Sequence, residues 1–166
     1  MSQHSGVTYN TVLDACVRSK NDELFDRLLT DFEEKGIVAS NFTLGILAKS
    51  YGQHHQLKRA FCVVRKAQKE HNLPFNIPLE TCLMSACSFN AGLNKAMQVF
   101  EDMKANVGDG LLNSKAYGVA ICGCVRLGNA KEAIRLAKEA YGLSGSKQML
   151  LQHQNLHARD MSLLMR

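Results

Sequence analysis

The chain has 166 residues, of which 46% are hydrophobic and 7% aromatic, with no Trp and only two Pro. That composition suits one helix-rich domain or one short repeat array, because proline breaks helices. The 20 basic and 15 acidic residues leave a net charge of +5, which suits a polyanionic partner without demanding one. No apolar run approaches the ~20 residues of a membrane span, so no membrane insertion is expected.

In chain order, four units emerge. The first, 6–40, holds the apolar pair Val12–Leu13, an N-cap signal at Asn21 and a stop at Gly36. The second, 41–76, repeats the pair as Leu47–Ala48. The third, 77–113, places Pro78 in a first helical turn, where it is tolerated. Its first helix runs to about Asn90 and turns at Ala91-Gly92. The second, over 93–104, carries the core-facing spacing Ala96, Val99, Phe100, Met103. The fourth, 114–148, breaks at Gly128 between helices and ends at Gly142 as a C-terminal cap. Residues 149–166 read as a C-terminal helical tail or partial repeat.

Two independent markers share one period. Phe25, Ala60, Ala96 and Ala133 recur 35–37 residues apart, and so do Cys16, Tyr51, Cys87 and Cys124. A single hairpin of this size cannot bury its apolar face, whereas stacked neighbours can. The expected fold is therefore an all-α solenoid of helix–turn–helix hairpins covering 6–148.

Six cysteines raise the disulfide and zinc readings. Cys122 and Cys124 point to different faces of one helix, and Cys82 and Cys87 are poorly placed to share a metal. All six read as reduced, buried thiols acting as small apolar residues, in a reducing compartment. His153 and His157 stand four apart without a third ligand in view, so neither a metal nor another cofactor is expected. The sequence contains no glycine-rich phosphate loop, nucleophile elbow or paired metal-binding motif, and Asp14, Glu80 and Asp102 are single carboxylates with no evident partner. An enzyme is not expected.

The stretch Val7-Thr8-Tyr9-Asn10-Thr11-Val12-Leu13-Asp14-Ala15-Cys16 resembles the opening helix of a pentatricopeptide repeat. Phe32-Glu33-Glu34-Lys35-Gly36-Ile37 resembles that family's repeat ending, and Ala96-Met97-Gln98-Val99-Phe100-Glu101-Asp102-Met103-Lys104 its second helix, as does Gly128-Asn129-Ala130-Lys131-Glu132-Ala133. The resemblance covers about 6–148 and is strongest in the first and third units. Tetratricopeptide repeats have a similar period, but their Trp-containing signature is absent.

The resemblance implies a right-handed superhelical solenoid that binds single-stranded RNA in mitochondria or plastids, each repeat reading one base with two or three side chains. It further implies base-selecting pairs at Asn10 with Ser40, Gly45 with Asn76, Thr81 with Asn113, and Gly118 with Gln148. The first pair matches a cytosine reader and the third an adenine reader, while the two glycines offer little choice. Val7, Phe42, Pro78 and Lys115 fall at base-sandwiching positions. Arg18 and Arg126 stand where phosphate contact is plausible, with Gln53 and Phe89 at that place in the other repeats. Ser40, Asn76 and Asn113 each precede a helix and suit N-caps equally well, Phe42 suits either a core or a stacking platform, and Asn10 and Thr81 read as exposed helix residues. The rival function is a protein-binding scaffold within a large organellar assembly, such as a ribosome or an energy-converting complex.

Overall fold

The computed structural model describes residues 3–108 and 112–143. Within them the chain forms eight helices and no strand. They pair into hairpins: α1 (Gln3–Ser19) with α2 (Asp22–Glu34), α3 (Asn41–Gln53) with α4 (Leu57–Glu70), α5 (Ile77–Phe89) with α6 (Leu93–Val107), and α7 (Ser114–Arg126) with α8 (Ala130–Ala140). The expected hairpin boundaries at 40/41, 76/77 and 113/114 coincide with the starts of α3, α5 and α7. The tail at 149–166, with His153 and His157, lies outside the described residues, and so does Gln148.

The backbone itself repeats. Inside each hairpin one left-handed residue ends the first helix: Lys20, His55, Ala91 and Gly128. Another follows the second helix: Gly36, Asn72, Gly108 and Gly142. Each reverses the chain just past a helix end, where such a conformation satisfies terminal carbonyls. Helix starts are capped as the sequence suggests at four places, and at Asn129 as well. Asn21, Ser40, Asn76, Asn113 and Asn129 all accept a backbone N–H from the first turn.

The first helices stack on one another to form one layer, with α3 against α1 and α5, and α7 against α5. The second helices form the other layer. This explains their patterning. Sandwiched α3 and α5 are apolar nearly all round, whereas α4 and α8 keep one apolar stripe toward the stack. Both recurring markers are buried: Phe25, Ala60, Ala96 and Ala133 where the two helices of a hairpin meet, and Cys16, Tyr51, Cys87 and Cys124 along the first helices. The core is continuous along the array, because α5 gives Leu79 and Leu83 to the N-terminal cluster and Met84 and Cys87 to the C-terminal one. Val12 departs from its counterparts and is exposed, since among the described residues no helix packs on that side of α1.

Glycines Gly52 and Gly123 mark close approaches in the inner layer, and Gly45 a milder one. A methyl group on Gly52 would sit 2.6 Å from the Ala86 Cβ, one on Gly123 would sit 2.5 Å from the Ser88 Oγ, and one on Gly45 would sit 3.3 Å from the Cys82 Sγ. Helices α3 and α7 thus approach α5 more closely than side chains would allow.

Candidate nucleic-acid interface

A cleft of about 580 Å³ opens between the N-terminal ends of α3 and α5. It gathers six of the residues singled out in the sequence: Ser40, Phe42, Gly45, Asn76, Pro78 and Lys115. Phe42 is 63% exposed, which settles its role against the core. It stands in the first turn of α3, with Pro78 at the equivalent place on α5, so two rigid apolar surfaces border the same cleft. Lys49 and Lys115 add positive charge there, Lys115 reaching in from α7. Lys49 and the half-buried Cys82 also lie on the cleft wall but were not among the expected binding residues. Lys49 follows Gly45 by one helical turn, a spacing that could have flagged it.

The N-cap role and a ligand role are compatible for the asparagines. Asn76 Oδ1 accepts the Leu79 N–H at 3.0 Å and Asn113 Oδ1 accepts that of Ala116 at 3.0 Å. Capping consumes the oxygen and leaves the amide NH₂ as a donor. Ser40 is more committed: in a reciprocal capping box the Thr43 N–H donates to Ser40 Oγ at 3.3 Å and the Ser40 N–H to Thr43 Oγ1 at 3.1 Å, and the two hydroxyls also meet at 3.0 Å.

The helix positions behave differently from expectation. Thr81 is buried rather than exposed, and its hydroxyl donates to the Ile77 carbonyl at 2.8 Å. The cause is the tight stacking of α5 between α3 and α7, which turns this face toward a neighbouring helix. Gly45 and Gly118, at the same position of their repeats, are buried too. Asn10 is half-buried, and its Oδ1 is shielded from solvent without a hydrogen-bond partner among the described residues; the same holds for Asn41 Oδ1 on the cleft wall. Val7 is exposed on α1, outside the cleft lining.

The basic positions lie at the opposite ends of the first helices. Arg18 pairs with Asp14 at 3.2 Å, and Asp14 is also approached by Lys49 at 3.7 Å. Arg126 stacks over the Phe89 ring, 4.7 Å from its centroid. Gln53 and Phe89 line a smaller cavity of about 290 Å³ with Lys20, Asp22 and His54. There His54 Nε2 meets the Asp22 carboxylate at 3.0 Å and its Nδ1 faces the Ser50 carbonyl at 2.8 Å. Both nitrogens face acceptors, and the Asp22 hydrogen bond, followed by that of Ser50, raises the imidazole above its ordinary pKa.

The carboxylates are not all alone, contrary to the sequence reading. Glu80 is 2% exposed and held by both Arg65 amino groups at 2.5 and 2.7 Å. Among the described residues no group of three metal-ligating side chains converges. Burial pushes the Cys87 and Cys124 thiols up to about 11, which suits them to packing rather than to nucleophilic chemistry.

These features are those of a known repeat. The description "Pentatricopeptide repeat domain" matches residues 3–54, and "PPR repeat" matches 81–106 and 115–140, stretches that together span more than half of the chain. The chain belongs to the pentatricopeptide repeat family, and its array is a helical-repeat scaffold of the RNA-binding kind. No curated protein matches the chain. No helix among the described residues is long and apolar enough to cross a membrane.

Proposed function

We propose that the protein binds single-stranded RNA along its inner layer of helices, without catalysis, and serves in the processing, stability or translation of organellar transcripts in mitochondria or plastids. The observation that carries this reading is the cleft between α3 and α5. It combines two exposed, rigid apolar surfaces, two lysines and an asparagine donor at the place where the family resemblance puts a base. Stacking between such surfaces contributes about 1–3 kcal/mol per base, and the lysines meet phosphate as point charges.

The same geometry refines the expected base preferences. With Thr81 bonded to its own helix, the adenine choice assigned to Thr81 and Asn113 falls mainly on Asn113. At the first repeat the cytosine choice stays with Asn10 and Ser40, although the Asn10 Oδ1 is shielded from solvent. Recognition by a cleft with so few polar contacts is shape- and stacking-led, with modest sequence preference.

The test is fluorescence anisotropy with short labelled single strands at low salt. Phe42→Ala should weaken binding about 5- to 150-fold, the equivalent of 1–3 kcal/mol. Lys49→Ala and Lys115→Ala should each flatten the salt dependence by about one unit of slope. If the parent binds single strands no better than duplex RNA, the array is a scaffold for protein subunits of an organellar assembly instead.

A further inference from the structure

Charge is distributed very unevenly over the eight helices. The inner helices α1, α3, α5 and α7 carry only four basic and two acidic residues among them. Helix α2 carries Asp22, Glu23, Asp26, Asp31, Glu33 and Glu34 against Arg27, a net of −5. Helix α4 carries Lys58, Arg59, Arg65, Lys66 and Lys69 against Glu70, a net of +4. These are the second helices of consecutive hairpins, so an acidic and a basic helix stand in neighbouring places on the outer layer.

Their charged faces point outward. Glu23, Asp26, Thr30 and Glu33 are exposed at the three- and four-residue spacing of one helix face. Lys58, Cys62, Arg65, Lys66 and Lys69 are exposed in the same way on α4. Charge from both helices meets around Tyr51, where Arg59 lies over the ring and Asp26 and Glu33 act on the same phenol, but the two helices do not pair directly. Among the described residues no ion pair joins α2 to α4 and their backbones make no contact. Asp22 and Asp31 pair with His54 and Lys35, and Arg65 and Lys66 pair with Glu80 and Glu70.

We propose that this outer face is a self-association surface, on which α2 of each of two copies docks against α4 of the other. A two-fold axis running along the helix direction between α2 and α4 places each acidic helix opposite a basic one, twice over, in a closed pair. A nucleic acid satisfies only half of this face: α4 attracts it and the adjacent α2 repels it. A second copy satisfies both halves at once. Helices of 13 and 14 residues are each about 20 Å long, which gives a small, polar footprint at the low end of specific interfaces. The pairing is accordingly weak, rapid and salt-sensitive. It leaves the inner layer open and does not depend on the RNA-binding reading.

The test is sedimentation velocity of the full chain without RNA, at about 20 mM and about 300 mM salt, where screening lengths differ several-fold. Two triple variants are compared: Lys58→Glu, Lys66→Glu, Lys69→Glu on α4, and Glu23→Lys, Asp26→Lys, Glu33→Lys on α2. The residues chosen leave the Arg65–Glu80 and His54–Asp22 pairs intact, and circular dichroism verifies folding. The parent should dimerise with rising concentration at low salt and revert at high salt. Each variant alone should lose at least tenfold in association constant. An equimolar mixture of the two should dimerise again, because both helices of one variant then oppose complementary helices of the other. A parent that stays monomeric at low salt overturns the proposal, as does a mixture no more associated than its components. Loss of heparin binding by the α4 variant, with the parent monomeric, would make α4 a polyanion surface instead.

Discussion

Replacing Gly52 by Ala tests the packing of the inner layer in one step. In an open helix the change is favourable, by about 1 kcal/mol, because Ala is the better helix former. Here the new methyl would lie 2.6 Å from the Ala86 Cβ and 2.7 Å from its Cα. Neither atom can swing aside, since both are fixed to the α5 backbone. Ordinary contact begins near 3.4 Å, so α3 and α5 must separate by about 0.8 Å along the most extensively packed pair of helices. Overpacking of this kind costs about 1–3 kcal/mol. A displacement carried by two whole helices belongs at the upper end, leaving a net loss of about 1–2 kcal/mol and a fall in Tm of about 2–8 °C. Urea titration followed by far-ultraviolet circular dichroism measures the difference. Gly45→Ala is the internal control. Its methyl meets only the Cys82 Sγ at 3.3 Å, a side-chain atom with room to rotate, so this variant should stay within about 0.5 kcal/mol of the parent or gain slightly. A Gly52→Ala protein as stable as the parent, or more stable, would refute the claim that this close approach requires glycine.

Arg65→Met should cost about 2 kcal/mol, less than the ~3–5 of a fully buried pair because Arg65 is half exposed, yet more than Glu80→Met, since it strands the buried carboxylate; equal losses in urea titrations would contradict this asymmetry. Ala96→Asp, at a fully packed helix crossing, should cost several kcal/mol through overpacking and desolvation, and an unchanged melting curve would mean the hairpin register is wrong. The His54 tie to Asp22 is held by the imidazolium, whose pKa is raised above 6.5. Its contribution, below about 1 kcal/mol at this exposed site, is therefore full below pH ~6.5 and fades as the pH rises through the raised value. Asp22→Asn should lower the His54 midpoint in an NMR titration, and an unmoved midpoint would remove Asp22 as the cause. None of the six cysteines is in a disulfide, so neither a reducing agent nor a chelator should alter Tm. Cys62, exposed contrary to the sequence reading, should be alkylated far faster than buried Cys16, Cys87 and Cys124; comparable rates would mean the stack opens readily.

Much of the fold was legible because each hairpin repeats the same small or apolar residue where two helices meet. Ala60, Ala96 and Ala133 mark the crossings, and the asparagines before α2, α5 and α7 mark helix starts. The turns were only partly legible. Gly36, Gly128 and Gly142 signal left-handed backbone, whereas Lys20, His55 and Asn72 adopt it under tertiary constraint with no glycine to announce it. The candidate site was legible at the helix entrances, where Ser40 and Asn76 cap the helices and Phe42 and Pro78 occupy exposed places in their first turns. It was misread one turn further on, at Thr81. The side chain is polar, but its burial depends on how closely α3 and α7 approach α5, and glycines on those helices mark that approach. Charge segregation between α2 and α4 is present in the sequence but acquires meaning only once the hairpins place both helices on one layer.

The central claim is that RNA lies in the cleft between α3 and α5. Ultraviolet crosslinking of a uridine-containing single strand to the full chain, with the attached peptides identified by mass spectrometry, tests it most directly. The account predicts adducts at Phe42 and on the segments 40–49 and 76–82, lost when Phe42→Ala removes the stacking surface. Adducts confined to the outer helices α4 and α6, or none on the inner helices at a concentration where RNA is bound, would contradict it.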